Sequence, residues 1–232
     1  MAEQNVFQMA FVLHVKPFRE SSLICDLLTQ FDGRVSVMAY KQKFTNPYQV
    51  FTPLVVKLKP GQGDLYFIDK LDHVGNTLPL KTSRLYSAYY VNELIVKLLS
   101  RINDSEYFFE RYTQTINDLA GTSDIEPCLR QFEMTLLDEM GVWPDLTSET
   151  ENGHGVQDEA TYHVNPELGV MPAWDKHVKA YTGRTLKAIQ GADWHDKTTL
   201  QTAKLLLREL INFHLGGQIL KSRQFFKSMN KY

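Results

Sequence analysis

The chain has 232 residues, of which 43% are apolar and 22% are charged, and its net charge is -2. These values are typical of a globular protein with one large or two modest domains, and no apolar run reaches the roughly 18 residues of a membrane-spanning helix. The first residues lack the basic segment and cleavage site of a signal peptide. The only cysteines, Cys25 and Cys128, are far apart in sequence, which indicates reduced thiols in a cytoplasmic protein.

The charge is unevenly distributed along the chain. Residues 1–80 contain eight basic and seven acidic residues, residues 81–150 contain six and twelve, and residues 151–232 contain eleven and eight. From Leu215 onward there are four basic residues and no Asp or Glu. Nucleic-acid binding requires a local basic surface rather than a basic total, so both ends of the chain are candidates. Chance variation among solvated faces would give a similar distribution.

The first 80 residues predict a small β-barrel. A strand in VFQMAFVLHVK is expected to end at Pro17, SSLICDLLTQF predicts a second strand, and DGR at 32–34 predicts a hairpin turn. RVSVMAYK alternates, so one face of the third strand is expected to enter the core and the opposite face, with Arg34 and Tyr40, to point away. Two further strands flank the turn PGQG. Five short strands fit an OB-fold, and an SH3-like barrel is the alternative that the pattern leaves open.

From Thr82 onward the apolar period becomes helical, which predicts an α+β protein. We expect an OB-fold barrel over residues 1–80 and a mainly helical domain over residues 81–232. TSRLYSAYYVNELIVKLLSR is expected to begin at a Thr/Ser cap, and Gly216-Gly217 is expected to end the longest of the later helices. Residues 144–180 are rich in Pro, Gly, Asp and Asn and predict an irregular insert with short strands such as TYHV.

No motif predicts an active site. GGQILKS near the end of the chain lacks the second glycine of a Walker A loop and follows a helix, and neither G-x-S-x-G nor G-x-G-x-x-G occurs. His154, His163 and His177 lie in the insert without the spacing of metal ligands, so scattered surface histidines explain them better than a metal site. We therefore expect no enzyme, no metal and no cofactor.

Basic and aromatic residues are interleaved in the predicted barrel. Barrels that hold single-stranded nucleic acid combine a basic groove with aromatic platforms on which bases stack, each worth about 1–3 kcal/mol. Most phenylalanines of this region are expected to fill the barrel core, because a small barrel needs bulky side chains inside. The residues that we predict to contact DNA here are Lys16, Arg19, Arg34, Tyr40, Lys41, Lys43, Lys57 and Lys59.

Five segments, taken in order, resemble one family of bacterial proteins. They are FVLHVKPFRESSLICDLLTQFDGRVSVMAYK, LYSAYYVNELIVKLL, PCLRQFEMTLLDEMGVWP, YTGRTLKAI and HLGGQILKSRQFF, which together extend over nearly the whole chain. The chain is similar in these segments to the RecO family of DNA repair and recombination mediators. No single motif is decisive, but the ordered set is specific.

The resemblance implies an N-terminal OB-fold, a helical C-terminal domain and several partners. RecO proteins bind single- and double-stranded DNA, anneal complementary strands, and with RecR help to load RecA onto DNA coated by single-stranded DNA-binding protein. Some also bind the acidic C-terminal tail of that protein, and Arg130 in L-R-x-F-E is the residue expected to contact the tail carboxylate. An intrahelical pair of Arg130 with Glu126 or Glu133 is the alternative. A nucleoid-associated location in the cytoplasm follows from the same resemblance.

The chain departs from the family pattern in two places. Many relatives carry four zinc-binding cysteines in the insert, whereas residues 144–180 contain none, so no zinc is expected. The family's basic stretch after the third strand is reduced here to Lys41 and Lys43. This shifts the expected DNA contact toward Lys57, Lys59 and the tail residues Lys221 and Arg223. A protein-interaction adaptor with no direct DNA affinity, or a hydrolase whose site the sequence does not reveal, are the competing interpretations.

Overall fold

The computed structural model describes residues 6–40, 48–61, 63–99, 106–174 and 179–229, and in the last range it describes side chains as far as residue 225. The chain forms two compact units, Met1–Ser123 with Leu220–Tyr232, and Asp124–Ile219. No helix within the described ranges has the length and apolar character needed to cross a membrane.

The first unit is built on a closed barrel of five strands. The strands are β1 (Phe7–Arg19), β2 (Ser22–Thr29), β3 (Gly33–Tyr40), β4 (Pro53–Pro60) and β5 (Leu65–His73). They are arranged in the order β1-β2-β3-β5-β4, with β3 and β5 parallel and the other neighbours antiparallel. The predicted α+β class with an OB-like barrel followed by a helical region is confirmed.

In the part of the chain that the structure describes, the remaining elements are six helices and three short strands. They are α1 (Thr82–Leu98), α2 (Glu106–Ala120), α3 (Ile125–Glu139), β6 (Thr161–Asn165), β7 (Gly169–Pro172), β8 (Tyr181–Thr182), α4 (Gly183–Gln190), α5 (Lys197–His214) and α6 (Lys221–Met229). The N-cap of α1 is Lys81 and makes no side-chain hydrogen bond, so the predicted Thr/Ser cap is wrong.

Strand β1 continues through Pro17, so the prediction that Pro17 ends it is wrong. Within the described ranges β1 pairs from His14 onward with β2 alone, which makes this part of β1 an edge there. Proline has no backbone N–H to donate to a neighbouring strand. It is therefore tolerated at a strand edge, where no neighbour needs that hydrogen bond. The pairing shifts register between Pro17 and Arg19, as a bulge at the rim of a barrel does.

The barrel core contains small and branched side chains rather than phenylalanines. Its buried members are mostly Val, Leu and Ala, together with Cys25 and Tyr48, and no phenylalanine of the described residues is packed there. Phe11 instead packs its outward ring against Phe109 and Tyr112 of α2, with centroid distances of 5.9 and 5.3 Å. Phe7 and Phe18 are exposed. For the described phenylalanines, the expectation that they fill the barrel core is therefore wrong.

A buried hydrogen-bond chain joins α1 to β1. The pairing of β1 with β2 shifts between Val12 and His14, so Leu13 is left out of the register. The side-chain amide of Asn92 donates to the Leu13 carbonyl oxygen at 3.0 Å, and the hydroxyl of Tyr112 donates to Asn92 Oδ1 at 2.8 Å. Asn92 is 2% exposed and Tyr112 is fully buried, and burial raises the pKa of the Tyr112 hydroxyl. A bulge in β1 thus provides the acceptor that anchors the first helix.

The second unit contains a three-stranded sheet in the order β7-β6-β8 together with α3, α4 and α5. The insert predicted at 144–180 contains β6, β7 and a turn held by Asp145, whose carboxylate accepts hydrogen bonds from Thr147 and Ser148. These bonds lower the pKa of Asp145. The strand expected in TYHV is present as β6.

Replacing Asn92 with Leu tests the buried chain. Asn92→Leu leaves the Leu13 carbonyl and the Tyr112 hydroxyl without partners in the protein interior. We expect the free energy of unfolding to fall by about 2–4 kcal/mol in urea titrations. The matched change at the exposed Asn117 of α2, Asn117→Leu, should alter it by less than about 0.5 kcal/mol. Equal effects at the two positions would contradict this account.

Candidate nucleic-acid interface

A row of side chains crosses the outer face of the barrel from β1 through β2, β3 and β5 to β4, with a lysine at each end. Across the strands Lys16 lies opposite Ile24, Ile24 opposite Met38, Met38 opposite Phe67, and Phe67 opposite Lys59. The neighbouring residues Cys25, Val37 and Leu58 point into the barrel core, so alternation places this row outside. We call these five residues, Lys16, Ile24, Met38, Phe67 and Lys59, the transverse row.

A second group of residues lies at the end of the same face. Arg19 is opposite Ser22, and Ser22 is opposite Tyr40, so the strand register brings the first and last of these to one edge of the barrel. Tyr40 is 61% exposed and Phe18 is 46% exposed. The guanidinium carbon of Arg19 lies 5.2 Å from the centroid of the Phe18 ring. Exposed rings beside cations are the combination that single-strand binding proteins use to stack bases and contact phosphates.

The two turns next to this face also belong to the arrangement. Lys16 and Arg19 precede the β1–β2 turn, and Lys59 precedes the β4–β5 turn. Gly61 lies in the second turn, where an added Cβ would approach the Phe67 ring to 2.8 Å. OB-folds bind oligonucleotides on the face of strands 2 and 3 and with these two loops. The positions of Lys16, Arg19, Tyr40 and Lys59 therefore match the binding face of the fold.

Lys59 is partly neutralised by a carboxylate on the neighbouring strand. Its ammonium lies 2.6 Å from the Asp69 carboxylate, and this hydrogen bond and charge lower the pKa of Asp69. The lysine side chain is nevertheless 57% exposed. Lys59 can thus contact a phosphate only in competition with Asp69.

Arg34 is engaged in the protein itself. Its guanidinium donates to Asp26 Oδ1 at 3.2 Å and also to the Leu99 carbonyl oxygen. The Asp26 side chain is only 8% exposed and also accepts a hydrogen bond from Ser36 at 3.0 Å. Arg34 therefore neutralises a buried carboxylate. Its charge is less available to a ligand than that of the exposed Lys16.

Two other predicted lysine positions differ in what surrounds them. Lys57 lies opposite Phe7 on β1 and Lys70 on β5, and its ammonium is 5.9 Å from the centroid of the Phe7 ring. It is thus on the part of the barrel where β4 pairs with β1, apart from the transverse row. Lys41 and Lys43 lie outside the described residues, and Tyr40 ends the described part of β3.

The predicted tail residues lie on α6 in the first unit. Lys221 is exposed, and its backbone N–H donates to the Glu93 carboxylate at 2.8 Å. Arg223 lies over the Tyr90 ring at 5.5 Å and donates to the Tyr90 hydroxyl at 3.4 Å. Both residues are thus held against α1 by contacts that the sequence did not predict.

Arg130, the residue predicted to bind a partner, lies on α3 in the second unit and is 5% exposed. Its guanidinium lies 2.9 Å from the Glu133 carboxylate and 3.9 Å from that of Glu126. Both intrahelical partners considered in the sequence are therefore present. Glu126 is 42% exposed and also accepts a hydrogen bond from Lys204 at 2.7 Å. The buried Nε of Arg130 has no hydrogen-bond partner among the described residues.

The sequence missed Phe67, Asn92 and Glu93 as residues that build this face. Phe67 carried a signal, because it alternates with the core residues Tyr66 and Ile68. Asn92 and Glu93 stand in a helix with ordinary apolar spacing, and their partners are distant in sequence. No group of three or more His, Cys, Asp or Glu side chains in the described ranges could hold a metal ion.

Comparison with known proteins identifies the family of the chain. A family model described as the N terminal of recombination protein O matches residues 1–76, and one described as its C terminal matches residues 81–224. The chain belongs to the recombination protein O family. It is 36% identical over 228 residues to the DNA repair protein RecO of Escherichia coli K12/DH10B, which covers 95% of this chain and 93% of the relative.

The DNA repair protein RecO of Escherichia fergusonii gives the same identity and coverage. The resemblance to the RecO family is thus confirmed, and these RecO relatives support a role for the chain in DNA repair and recombination.

Replacing Arg34 and Lys16 one at a time tests whether Arg34 stabilises the fold while the exposed Lys16 does not. Arg34→Gln leaves the buried Asp26 carboxylate without its ion partner, so we expect the free energy of unfolding to fall by about 2 kcal/mol. Lys16→Gln should change it by less than about 0.5 kcal/mol, because the side chain is exposed. Chemical denaturation at neutral pH measures both values. A larger loss for Lys16→Gln than for Arg34→Gln would contradict the assignment.

Proposed function

We propose that this chain binds single- and double-stranded DNA and anneals complementary strands as a non-enzymatic recombination mediator. The observation that carries the proposal is the outer face of the barrel around β2 and β3, where exposed rings and cations from β1, β3 and β4 lie next to two turns. Lys16, Arg19 and Lys59 supply positive charge for phosphates, and Phe18 and Tyr40 supply rings for bases. The phosphate contacts serve both single and double strands, whereas stacking requires an unpaired base.

Annealing follows from the same chemistry. Cations that neutralise the phosphates of one strand reduce its repulsion of a second strand. Stacking uses the flat face of a base and leaves its hydrogen-bonding edge open to pairing. Neither step needs nucleotide hydrolysis, so annealing should proceed without ATP. A strict requirement for ATP would contradict the proposal.

We further propose a division of labour between the barrel and the helical part. On this view residues 1–80 bind DNA, and residues 81–232 contact partners and extend the DNA surface. The partners proposed from the family are RecR, single-stranded DNA-binding protein through its acidic C-terminal tail, and RecA indirectly when it is loaded onto coated DNA.

Salt-dependent binding of a labelled single-stranded oligonucleotide tests the DNA proposal. The logarithm of affinity should fall linearly with the logarithm of salt, with a slope of about -0.7 for each phosphate neutralised. Lys16→Gln and Arg19→Gln should each make this slope shallower by about 0.7, whereas Tyr40→Ala should cost about 1–3 kcal/mol with little change of slope. Lys197→Gln, at the exposed start of α5, is the matched control and should bind like the parent.

No detectable binding at low salt would reject the DNA proposal. It would favour instead an adaptor that binds only proteins. Binding with equal losses for Lys197→Gln and Lys16→Gln would reject the barrel face as its site.

The geometry around Arg130 supports a specific proposal for the tail of single-stranded DNA-binding protein. We propose that an incoming carboxylate replaces Glu126, which lies 3.9 Å from Arg130, 2.7 Å from Lys204, and is 42% exposed. The Glu133 pair, with a 2.9 Å separation and 1% exposure of Glu133, would stay in place. Charge-assisted contacts to a guanidinium are strong enough to select a carboxylate.

Titration with an acidic C-terminal peptide tests this site, because two substitutions should change the peptide affinity in opposite directions. Glu126→Gln should tighten binding, because it removes the competing carboxylate, and Arg130→Ala should weaken binding at least about tenfold. Arg184→Ala, at an exposed arginine of the same unit, is the control and should leave affinity unchanged. Weaker binding by Glu126→Gln, or an unchanged affinity in Arg130→Ala, would exclude the site.

A further inference from the structure

Helix α6 begins with its first amides already bonded to a carboxylate from another helix. Glu93 of α1 accepts hydrogen bonds from the backbone N–H of Lys221 and of Ser222, both at 2.8 Å, and from the Ser222 hydroxyl at 2.6 Å. The Ser222 bonds lower the pKa of Glu93 against the opposing effect of its burial. Helix termini expose unpaired N–H groups, and a side-chain acceptor usually comes from the preceding residue. Here the acceptor comes from about 130 residues earlier in the chain.

One face of α1 holds the whole described part of α6. Tyr86, Tyr90 and Glu93 lie one helical turn apart on α1. The Tyr86 ring stacks on Phe225 with centroids 5.5 Å apart and an angle of 16° between the ring planes. Tyr90 lies under Arg223, and Glu93 binds the start of the helix. The order of these contacts shows that the two helices run in opposite directions.

The Glu93 end of α1 is also the end that is fixed to the barrel. Asn92, the preceding residue, donates to the Leu13 carbonyl, and His14 follows Leu13 in β1. Lys221 is therefore bonded to the residue next to the one that binds β1. The positive charge of Lys221 joins that of Lys16 in lowering the pKa of His14, whose own burial is the largest cause. Through Glu93 and Asn92, the start of α6 is thus connected to the part of β1 that contains Leu13 and His14.

We propose that Glu93 is a positioning residue that holds α6 against α1 so that Lys221 extends the cationic face begun by Lys16. The inference rests on the proposed DNA binding and adds to it a segment distant in sequence. DNA bound along the transverse row then continues past β1 to the first turn of α6. The amides of this turn are already bonded to Glu93, so the exposed Lys221 side chain is the group that contacts phosphate.

The direction in which Glu93→Gln changes DNA affinity distinguishes this positioning role from a purely electrostatic effect. Glu93→Gln removes a negative charge and also the ion pair with Lys97, whose ammonium lies 4.0 Å away. Electrostatics alone would make single-stranded DNA bind more tightly. If Glu93 positions α6, losing its bonds to Lys221 and Ser222 should instead weaken DNA binding by about threefold or more at moderate salt. The slope of log affinity against log salt should also become shallower by about 0.7. Glu110→Gln, at an exposed carboxylate of α2, is the matched control and should bind unchanged or more tightly.

A double-mutant cycle adds a readout that general destabilisation would not give. In a Lys221→Gln background the further change Glu93→Gln should no longer weaken DNA binding, because the cation that Glu93 positions is gone and only the removal of a negative charge remains. In a Lys16→Gln background it should retain its full effect. If Glu93→Gln does not fold, Ser222→Ala removes one of the three bonds and should shift affinity in the same direction by a smaller factor.

The outcomes separate the inference from the function on which it rests. If the parent protein binds DNA and Glu93→Gln binds equally or more tightly, the role of Glu93 is overturned and the proposed function stands. Equal losses in the Lys221→Gln and Lys16→Gln backgrounds overturn that role as well. A parent protein that binds no DNA overturns the proposed function and this extension together.

Discussion

The first unit depends on the buried hydrogen bonds that connect Tyr112, Asn92 and the Leu13 carbonyl. A bulge in β1 leaves that carbonyl outside the strand pairing, and the amide of Asn92 satisfies it. The cost of an unpaired polar group in a protein interior is high, so the bulge and the helix require each other. Because Glu93 follows Asn92, the bond that orients α1 also determines where α6 begins. The barrel, the first helix and the last helix thus share one two-residue junction.

The described phenylalanines lie outside the barrel core, and this has a consequence for the surface. Valine, leucine and alanine fill the narrow core, as the packing of a five-stranded barrel allows. The large rings are then available outside, where Phe11 attaches α2 and Phe18 stays exposed beside Arg19. The same choice of core residues therefore stabilises the helices against the barrel and leaves aromatic groups on the face proposed for DNA.

Local pattern predicted a large part of the fold. The alternation in β3 identified its core face and the exposure of Tyr40, and the DGR turn has Gly33 at a φ of 62°, a backbone conformation that favours glycine. Distant contacts explain what was missed. Pro17 is tolerated because, among the described residues, β1 has no second neighbouring strand there. Arg34 donates to Asp26 and to the Leu99 carbonyl. For the site, residue type alone did not distinguish the partly buried, paired Arg34 from the exposed Lys16, or Glu93 from a surface carboxylate.

The contacts of Glu93 bear on the order in which parts of the chain fold during synthesis. Its partners Lys221 and Ser222 lie 128 and 129 residues further along the chain. Contacts so distant in sequence form late, and during synthesis the barrel and α1 leave the ribosome well before α6 does. The nascent protein therefore carries a folded barrel whose surface next to β1 is still incomplete. On the proposed function, full engagement of a long strand would require α6 to have been synthesised, so shorter nascent chains would compete weakly for DNA.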